Sequence, residues 1–193
     1  MKGVMFNSFT EFIKHKFGAK ELDILLQKDD YPNKGGFSAL GNYNSSYMYS
    51  LIKHSKFLFD CSKDEILRQF GKYAYKYLYK RLIKMHENSD DFVTYSTPYD
   101  FLENLNTLHF EQLKKFYPNA KFPEFEVNRL SSNHIILRYS SFRDIPYLTY
   151  GLLEGCVAFY GYNSSITMDK TDETKNIVGK EYPVYRFEVQ DGE

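Results

Sequence analysis

Residues 139–143, Tyr-Ser-Ser-Phe-Arg, have the types and spacing of an anion site at the end of an apolar stretch. On an extended backbone, residues 139, 141 and 143 share one side, because successive side chains alternate. The Arg143 guanidinium could hold a carboxylate with two parallel hydrogen bonds, while the hydroxyls of Tyr139 and Ser141 add neutral donors. The segment therefore predicts a site for a pair of carboxylates. The alternative is a strand end with an ordinary salt bridge.

His109 is the only one of the five histidines that is centred in an apolar helical stripe. His15, His54 and His86 have charged or polar neighbours and are predicted to be solvated, and His134 belongs to a predicted hairpin. A lone histidine on an apolar face is usually a core imidazole that a neighbour satisfies. An imidazole beneath a flat apolar cofactor, with one nitrogen on iron, is also a common way to hold haem. Such a cofactor needs a second site for its carboxylates, and residues 139–143 could supply it.

Composition restricts the class of protein. A length of 193 residues predicts one domain, residues 1–193, and the balance of 25 acidic and 25 basic residues argues against a nucleic-acid or membrane partner. No leader and no apolar run long enough for a span is visible, which predicts a cytoplasmic protein. Cys61 and Cys156 match no metal or redox spacing and are predicted to be buried structural thiols. No nucleophile or acid–base constellation indicates an enzyme.

The first two-thirds of the chain show helical periodicity. Ser62 with Glu65 forms a capping-box pattern, and Thr97 followed by Pro98 is a second clear helix start. A polar stretch over residues 86–91 predicts a loop. Helices are predicted over residues 6–18, 22–26, 47–59, 62–82 and 97–117.

After residue 118 the period changes. Residues 125–137 predict a hairpin, Pro146 begins a last long helix that reaches Phe159, and residues 184–189 predict a closing strand. The fold class is therefore α+β, with a helical N-terminal part followed by a C-terminal antiparallel sheet with helices.

Four segments occur in a familiar order: residues 1–7 (MKGVMFN), Leu108-His109, residues 139–143 and residues 151–155 (GLLEG). Together they resemble the H-NOX family, the haem nitric oxide/oxygen binding domains related to the sensory domain of soluble guanylate cyclase. The resemblance extends over essentially the whole chain.

The chain departs from the family pattern in two places. The spacing from His109 to Tyr117-Pro118 is one residue longer than is usual in the family, which could shift the helix register. Residues 169–180 contain no Cys or His, so no structural zinc is expected.

The resemblance implies haem b (iron protoporphyrin IX) buried between the helical part and the sheet, with His109 as the proximal iron ligand. It implies that Tyr139, Ser141 and Arg143 bind the propionates and that Pro123 presses on the haem. An ordinary strand-start proline is the alternative for Pro123. The other implied cofactor contacts are apolar: Met5, Phe9, Ala74, Leu78, Leu105, Leu148 and Leu152.

Gas selectivity follows from the same resemblance. Oxygen-binding members carry a distal tyrosine at the position that aligns with Leu148, and the predicted distal residues Phe9, Ala74, Leu78 and Leu148 offer no hydrogen-bond donor. Bound oxygen needs such a donor, whereas NO and CO do not, so NO is the expected ligand. An alignment error of one residue would place Tyr147 or Tyr150 over the iron instead, which keeps an oxygen sensor open as an alternative.

Output is expected to come from a separate protein. Stand-alone family members act on a histidine kinase or a cyclic-di-GMP enzyme, and either is implied here. The implied switch is that gas binding loosens the hold of His109 on the iron and moves the N-terminal helices. A non-haem module that binds an apolar small molecule is the remaining alternative.

Overall fold

The computed structural model describes residues 1–86 and 93–192 and has the predicted α+β architecture. Residues 87–92, most of the predicted loop, lie outside the described part. The first four helices are α1 (Gly3–Phe17), α2 (Ala19–Leu26), α3 (Ser45–Phe59) and α4 (Lys63–Met85), with a helical turn at Pro32–Gly35 before α3. Then follow α5 (Pro98–Glu103), α6 (Leu105–Thr107), a π-helical segment (Leu108–Leu113), α7 (Lys114–Phe116), β1 (Glu124–Ser131), β2 (His134–Ser140), α8 (Pro146–Phe159), β3 (Ser165–Ile177) and β4 (Lys180–Gln190).

The start of the chain is fastened to the loop that precedes α3. The Met1 ammonium group donates to the Tyr43 carbonyl at 2.5 Å, and the Gly3 amide donates to the Gly41 carbonyl at 2.9 Å. A Cβ at Gly3 would lie 1.8 Å from the Ser38 carbonyl oxygen. Only glycine therefore fits the third position, which gives a physical reason for the MKG start.

Helices α4 and α8 cross at very short distance through glycines. A Cβ at Gly151 would lie 1.9 Å from the Arg68 carbonyl oxygen, and one at Gly155 would lie 2.6 Å from the Lys72 carbonyl oxygen. Beside this crossing the Arg68 guanidinium donates two hydrogen bonds, of 2.8 and 2.9 Å, to the Glu154 carboxylate. The GLLEG segment is thus a helix-packing motif with its own ion pair.

The predicted caps are present. Ser62 Oγ accepts from the Glu65 amide at 3.0 Å to begin α4, and Thr97 Oγ1 accepts from the Asp100 amide at 3.1 Å to begin α5. These hydrogen bonds depend on neighbours in sequence, which is why the sequence predicts them well.

The prediction of a single helix over residues 97–117 was wrong. Asn104, with φ −98° and ψ 14°, ends α5, and the chain continues as the short α6, a π-helical turn over Leu108–Leu113 and α7. A π-turn holds one more residue than an α-turn. The extra residue between His109 and Tyr117 is thus absorbed locally, and the apolar stripe alone did not reveal it.

The four strands form one antiparallel sheet in the order β1-β2-β4-β3. β1 and β2 are the predicted hairpin, with Phe125 opposite Tyr139, and the predicted closing strand lies within β4. Strand β3 was not predicted, because most of its residues are polar and exposed. It forms through its pairing with β4, where Ile166 lies opposite Val189.

Two apolar cores result, one around α1 and α3 and one between the sheet and helices α4, α5 and α8.

Cys156 is buried as predicted, but Cys61 is only half-buried, because it lies at the end of α3. His86, predicted to be solvated, is buried: its Nδ1 lies 3.0 Å from the Leu82 carbonyl oxygen and its ring meets Phe116 edge-on. None of the helices within residues 1–86 and 93–192 is long and apolar enough to cross a bilayer.

Candidate functional site

A cavity of about 560 Å³ lies between the two cores. Its wall is formed by the start of the chain, α4, the segment from α5 to the π-helical turn, the loop before β1, the end of β2 and α8. The volume is in the range of small-molecule and cofactor sites, and most of the lining side chains are apolar, as is usual for such sites.

His109 projects from the π-helical turn and lines this cavity. Its ring lies parallel to that of Phe122, with centroids 5.0 Å apart and an interplanar angle of 11°, and Phe125 lies 5.9 Å away. Burial lowers the pKa of the imidazole to about 4, so it is neutral near neutral pH. Its Nδ1 has no hydrogen-bond partner in the described part of the chain. His109 is thus not the satisfied core histidine of the simpler alternative.

The surroundings of His109 limit the kind of metal site it could form. Over residues 1–86 and 93–192, no group of three or more His, Cys, Asp or Glu side chains is placed to hold a metal ion. His109 would therefore bind a metal as the protein ligand of a cofactor, rather than as part of a set of protein ligands.

The sequence suggested that the Tyr139–Arg143 segment is extended throughout. In the structure only its first two residues belong to a strand. Strand β2 ends at Ser140, and the Ser141 hydroxyl then accepts from the Arg143 amide at 3.3 Å within a turn. The side chains of Tyr139, Ser141 and Arg143 nevertheless all line the cavity. The turn thus brings together the three groups that strict alternation was expected to align.

Arg143 is half-buried and has no carboxylate partner among the residues that the structure describes. One Nη1–H donates to the Lys121 carbonyl at 3.1 Å, the guanidinium lies 4.2 Å from the Phe142 ring centroid, and Nε has no partner. Burial lowers the pKa of Arg143, and burial raises the pKa of the Tyr139 hydroxyl. The simpler reading, a strand end with an ordinary salt bridge, therefore does not describe this segment.

The cavity has a one-sided charge. Although the chain has as many acidic as basic residues, none of the described residues in the wall is acidic. Four of the described wall residues have cationic side chains: Lys2, Arg81, Lys121 and Arg143. An anionic ligand with a large apolar body fits this combination.

Most of the residues that the sequence singled out come together here. The cavity is lined by Met5, Leu78, Leu105, His109, Pro123, Tyr139, Ser141, Arg143, Leu148 and Leu152. Phe9 and Ala74 do not line it, because both are fully buried in the N-terminal core, where Phe9 packs edge-on against Phe70 at 5.0 Å.

The two tyrosines next to Leu148 point elsewhere. The Tyr150 hydroxyl donates to the Ile166 carbonyl at 2.7 Å, and the Arg68 guanidinium lies 4.6 Å from its ring centroid. Tyr147 packs against the N-terminal core. Neither lines the cavity, whereas Leu148 does.

Several lining residues were missed. Tyr75 and Tyr79 follow the same helical stripe as Leu78 and Leu82, a spacing that could have found them. The Tyr75 hydroxyl is near the Cys156 thiol and the Tyr160 hydroxyl, yet it makes no hydrogen bond of ordinary geometry in the described part. Arg81 had no sequence signal, since its neighbours Lys80 and Lys84 suggest a solvated face.

The fold and the cavity define an α+β domain whose cavity suits a large apolar, anionic molecule beside a neutral imidazole. The model of the Haem-NO-binding (HNOB) family matches residues 2–168, and the chain belongs to this family, the H-NOX domains. These are haem-based gas-sensing domains and not enzymes. No curated protein sequence is significantly similar to the chain.

Solved H-NOX structures share the fold over nearly the whole chain. The Fe(II) unliganded H-NOX protein from K. algicida is 24% identical, with a TM-score of 0.80 over 100% of this chain and 97% of that one. The S. oneidensis protein in the Fe(II)NO state is 19% identical, with a TM-score of 0.73 over 99% and 100%. The Shewanella woodyi H-NOX, bound to IWP-051 in the Fe(II)CO state, is 26% identical, with a TM-score of 0.73 over 100% and 95%.

Proposed function

We propose that residues 1–193 form one sensor domain that binds nitric oxide at ferrous haem b and signals, in the cytoplasm, through a separate partner protein. The observation that carries this proposal is the pairing, in one apolar cavity, of a neutral imidazole that has an unpartnered nitrogen with an arginine that has no carboxylate partner among the described residues. Haem needs both a ligand for iron and a cation for its propionates.

The residues present fit the cofactor. His109 would hold the iron, Tyr139, Ser141 and Arg143 would hold the propionates, and Pro123 lies in the wall where it can contact the ring. Haem, when bound, supplies ferrous iron with an open coordination position for a diatomic gas. Phe122 keeps the His109 ring in a fixed orientation, and the surrounding apolar side chains exclude water.

Selectivity for NO, and also CO, over oxygen is supported by two apolar side chains of the wall, Leu78 of α4 and Leu148 of α8. Leu78 and Leu148 present no hydrogen-bond donor, and the hydroxyl of Tyr150 is occupied by the Ile166 carbonyl. A gas complex that depends on a donated hydrogen bond is disfavoured beside Leu78 and Leu148, because neither side chain can replace the hydrogen bonds that water would give.

Oxygen sensing is a second candidate, and Tyr75 is the observation in its favour. This residue lines the cavity from α4 with a hydroxyl that has no hydrogen-bond partner in the described part of the chain. Its ring stacks on Tyr79 at 5.8 Å and meets Phe101 edge-on at 5.4 Å, while its hydroxyl is near Cys156. These contacts hold the hydroxyl at the Cys156 side, so we favour NO.

Signalling is proposed to pass through the broken segment that carries His109. Three short helical pieces, α6, the π-helical turn and α7, replace one continuous helix, and single π-turns are frequent at functional sites. A change in the position of His109 would then shift this segment between two arrangements that a partner can distinguish. We propose a histidine kinase or a cyclic-di-GMP enzyme as that partner.

The test is an anaerobic absorption spectrum of the reduced, haem-loaded protein, taken before and after NO, CO and air. The expected result is a haem band that responds to NO and CO, with no stable oxygen complex in air. A stable oxygen complex would contradict the proposed selectivity for NO and would support the oxygen sensor instead. A protein that takes up no haem would instead favour the non-haem module for an apolar small molecule.

A further inference from the structure

Arg81 is buried at its Nε atom and has no carboxylate partner within residues 1–86 and 93–192. Four of the six arginines are paired with acids: Arg68 with Glu154, Arg129 with Asp100 and Glu103, Arg138 with Glu126 and Glu173, and Arg186 with Asp169 and Glu188. The two exceptions, Arg81 and Arg143, line the same cavity. Because the two arginines without an acidic partner among the described residues line one cavity, a single explanation should apply to both.

The contacts between Arg143 and Arg81 follow one side of the cavity. Burial lowers the pKa of the Met1 ammonium group, and the positive charge of Arg143 is the next largest cause of that shift. Lys2, the next residue, places Nζ 5.4 Å from the Tyr117 ring centroid, and the Tyr117 hydroxyl lies 3.9 Å from Met85 Sδ. Met85 is one helical turn after Arg81 on α4, and all of these residues line the cavity.

A guanidinium that is partly desolvated and unpaired destabilises the folded chain, because it has lost hydrogen bonds to water without replacement. An anion restores that loss and is best held by the planar fork of arginine. The described wall contains no acid that could serve. A carboxylate of the molecule that fills the cavity would supply the partner that the described wall lacks.

We propose that Arg81 is a further carboxylate-binding residue of this cavity, which adds a charge-assisted hydrogen bond to one of the two carboxylates that the Tyr139–Arg143 segment holds. This rests on the proposed function, since haem carries two propionates. Arg81 would slow the escape of the cofactor and favour one of its two orientations.

The test compares haem with haem dimethyl ester, in which both carboxylates are blocked. Wild type and Arg81→Met are loaded with each porphyrin, and the rate of its transfer to excess apomyoglobin is measured. Arg81→Met should release haem about tenfold faster or more, as the loss of one charge-assisted hydrogen bond predicts. For the dimethyl ester, wild type and variant should release at the same rate.

Lys80→Met is the matched control, because it removes the same charge from the adjacent, exposed position of α4. It should release haem as wild type does. Arg81→Gln, which keeps a polar side chain, repeats the comparison should the Met variant fail to fold.

Two results would overturn the inference. Equal haem release by wild type and Arg81→Met would show that Arg81 holds no carboxylate. Faster release of both porphyrins by the variant would show that only the aliphatic part of Arg81 matters. In either case haem-loaded wild type leaves the proposed function intact, whereas a wild type that binds no haem removes both proposals.

Discussion

The ring of His109 lies parallel to that of Phe122, with 5.0 Å between centroids and 11° between planes. Phe122 belongs to the loop just before β1, so the orientation of the imidazole is set by a segment outside its own helix. Phe122→Leu should lower haem affinity about fivefold, as the loss of one aromatic pair of about 1 kcal/mol predicts, and should broaden the iron–histidine stretching band. Phe110→Leu, at an exposed neighbour of Phe122, is the control and should change neither.

Free imidazole should be able to substitute for the side chain of His109. His109→Gly removes the candidate iron ligand and leaves space beside Phe122, so ferrous protein should lose the spectrum of histidine coordination and regain it on addition of imidazole. Absorption and resonance Raman spectra measure the change. His15→Ala, at an exposed position of α1, should keep the wild-type spectrum. Unaltered coordination in His109→Gly would show that another residue holds the iron.

Gly151 should tolerate no side chain. A Cβ there would lie 1.9 Å from the Arg68 carbonyl oxygen, and backbone in two packed helices cannot move aside locally. Gly151→Ala should reduce the free energy of unfolding by about 2–3 kcal/mol or prevent folding. Gly192→Ala, where no atom lies within 4 Å of the added carbon, is the control. Urea denaturation of both variants tests this, and equal stability would contradict the close crossing.

Tyr75 should not determine the gas that binds. Tyr75→Phe removes a buried hydroxyl that has no hydrogen-bond partner in the described part of the chain, so its stability should equal or exceed that of wild type. Its spectrum in air should remain that of wild type. In contrast, Tyr150→Phe removes the hydrogen bond to Ile166 and should lower the free energy of unfolding by about 1 kcal/mol. An oxygen complex that is present in wild type and absent from Tyr75→Phe would make Tyr75 the distal donor.

Asp100 should make stability depend on pH. Its hydrogen bond from Arg129, and then that from Thr97, lower the pKa of the carboxyl below its ordinary value of 3.8. A lowered folded-state pKa means that the stabilisation is present above pH 3.8 and is lost as pH falls through the folded-state value. Asp100→Asn should therefore be less stable than wild type by about 0.5–1 kcal/mol at neutral pH, since the pair is partly screened by water.

The same difference should shrink when unfolding is measured in acid, because the wild-type carboxyl then also becomes neutral. Asp172→Asn, at an exposed position of β3, is the control and should follow wild type at each pH. A difference that stays constant into acid would show that the carboxylate charge is not what links Asp100 to Arg129.

Much of the fold could be predicted because its signals are local. The caps at Ser62 and Thr97 involve residues three apart, and the apolar periodicity of α1, α3, α4 and α8 reflects one buried face on each helix. The break at Asn104 and strand β3 were missed for the opposite reason. A π-turn preserves the composition of an apolar stripe, and β3 depends on its pairing with β4 rather than on its own polar residues.

The sequence by itself determined which residue types were available for the site, a histidine among apolar residues and an arginine beside two hydroxyls, because these are read from adjacent positions. Only the tertiary structure decided which way each side chain points. It placed Leu148 in the wall and Tyr150 against the Ile166 carbonyl, buried Phe9 in the neighbouring core, and brought Arg81 to the cavity that Arg143 also lines. Those choices depend on the rotation of each helix, which packing at distant positions such as Gly151 on Arg68 sets.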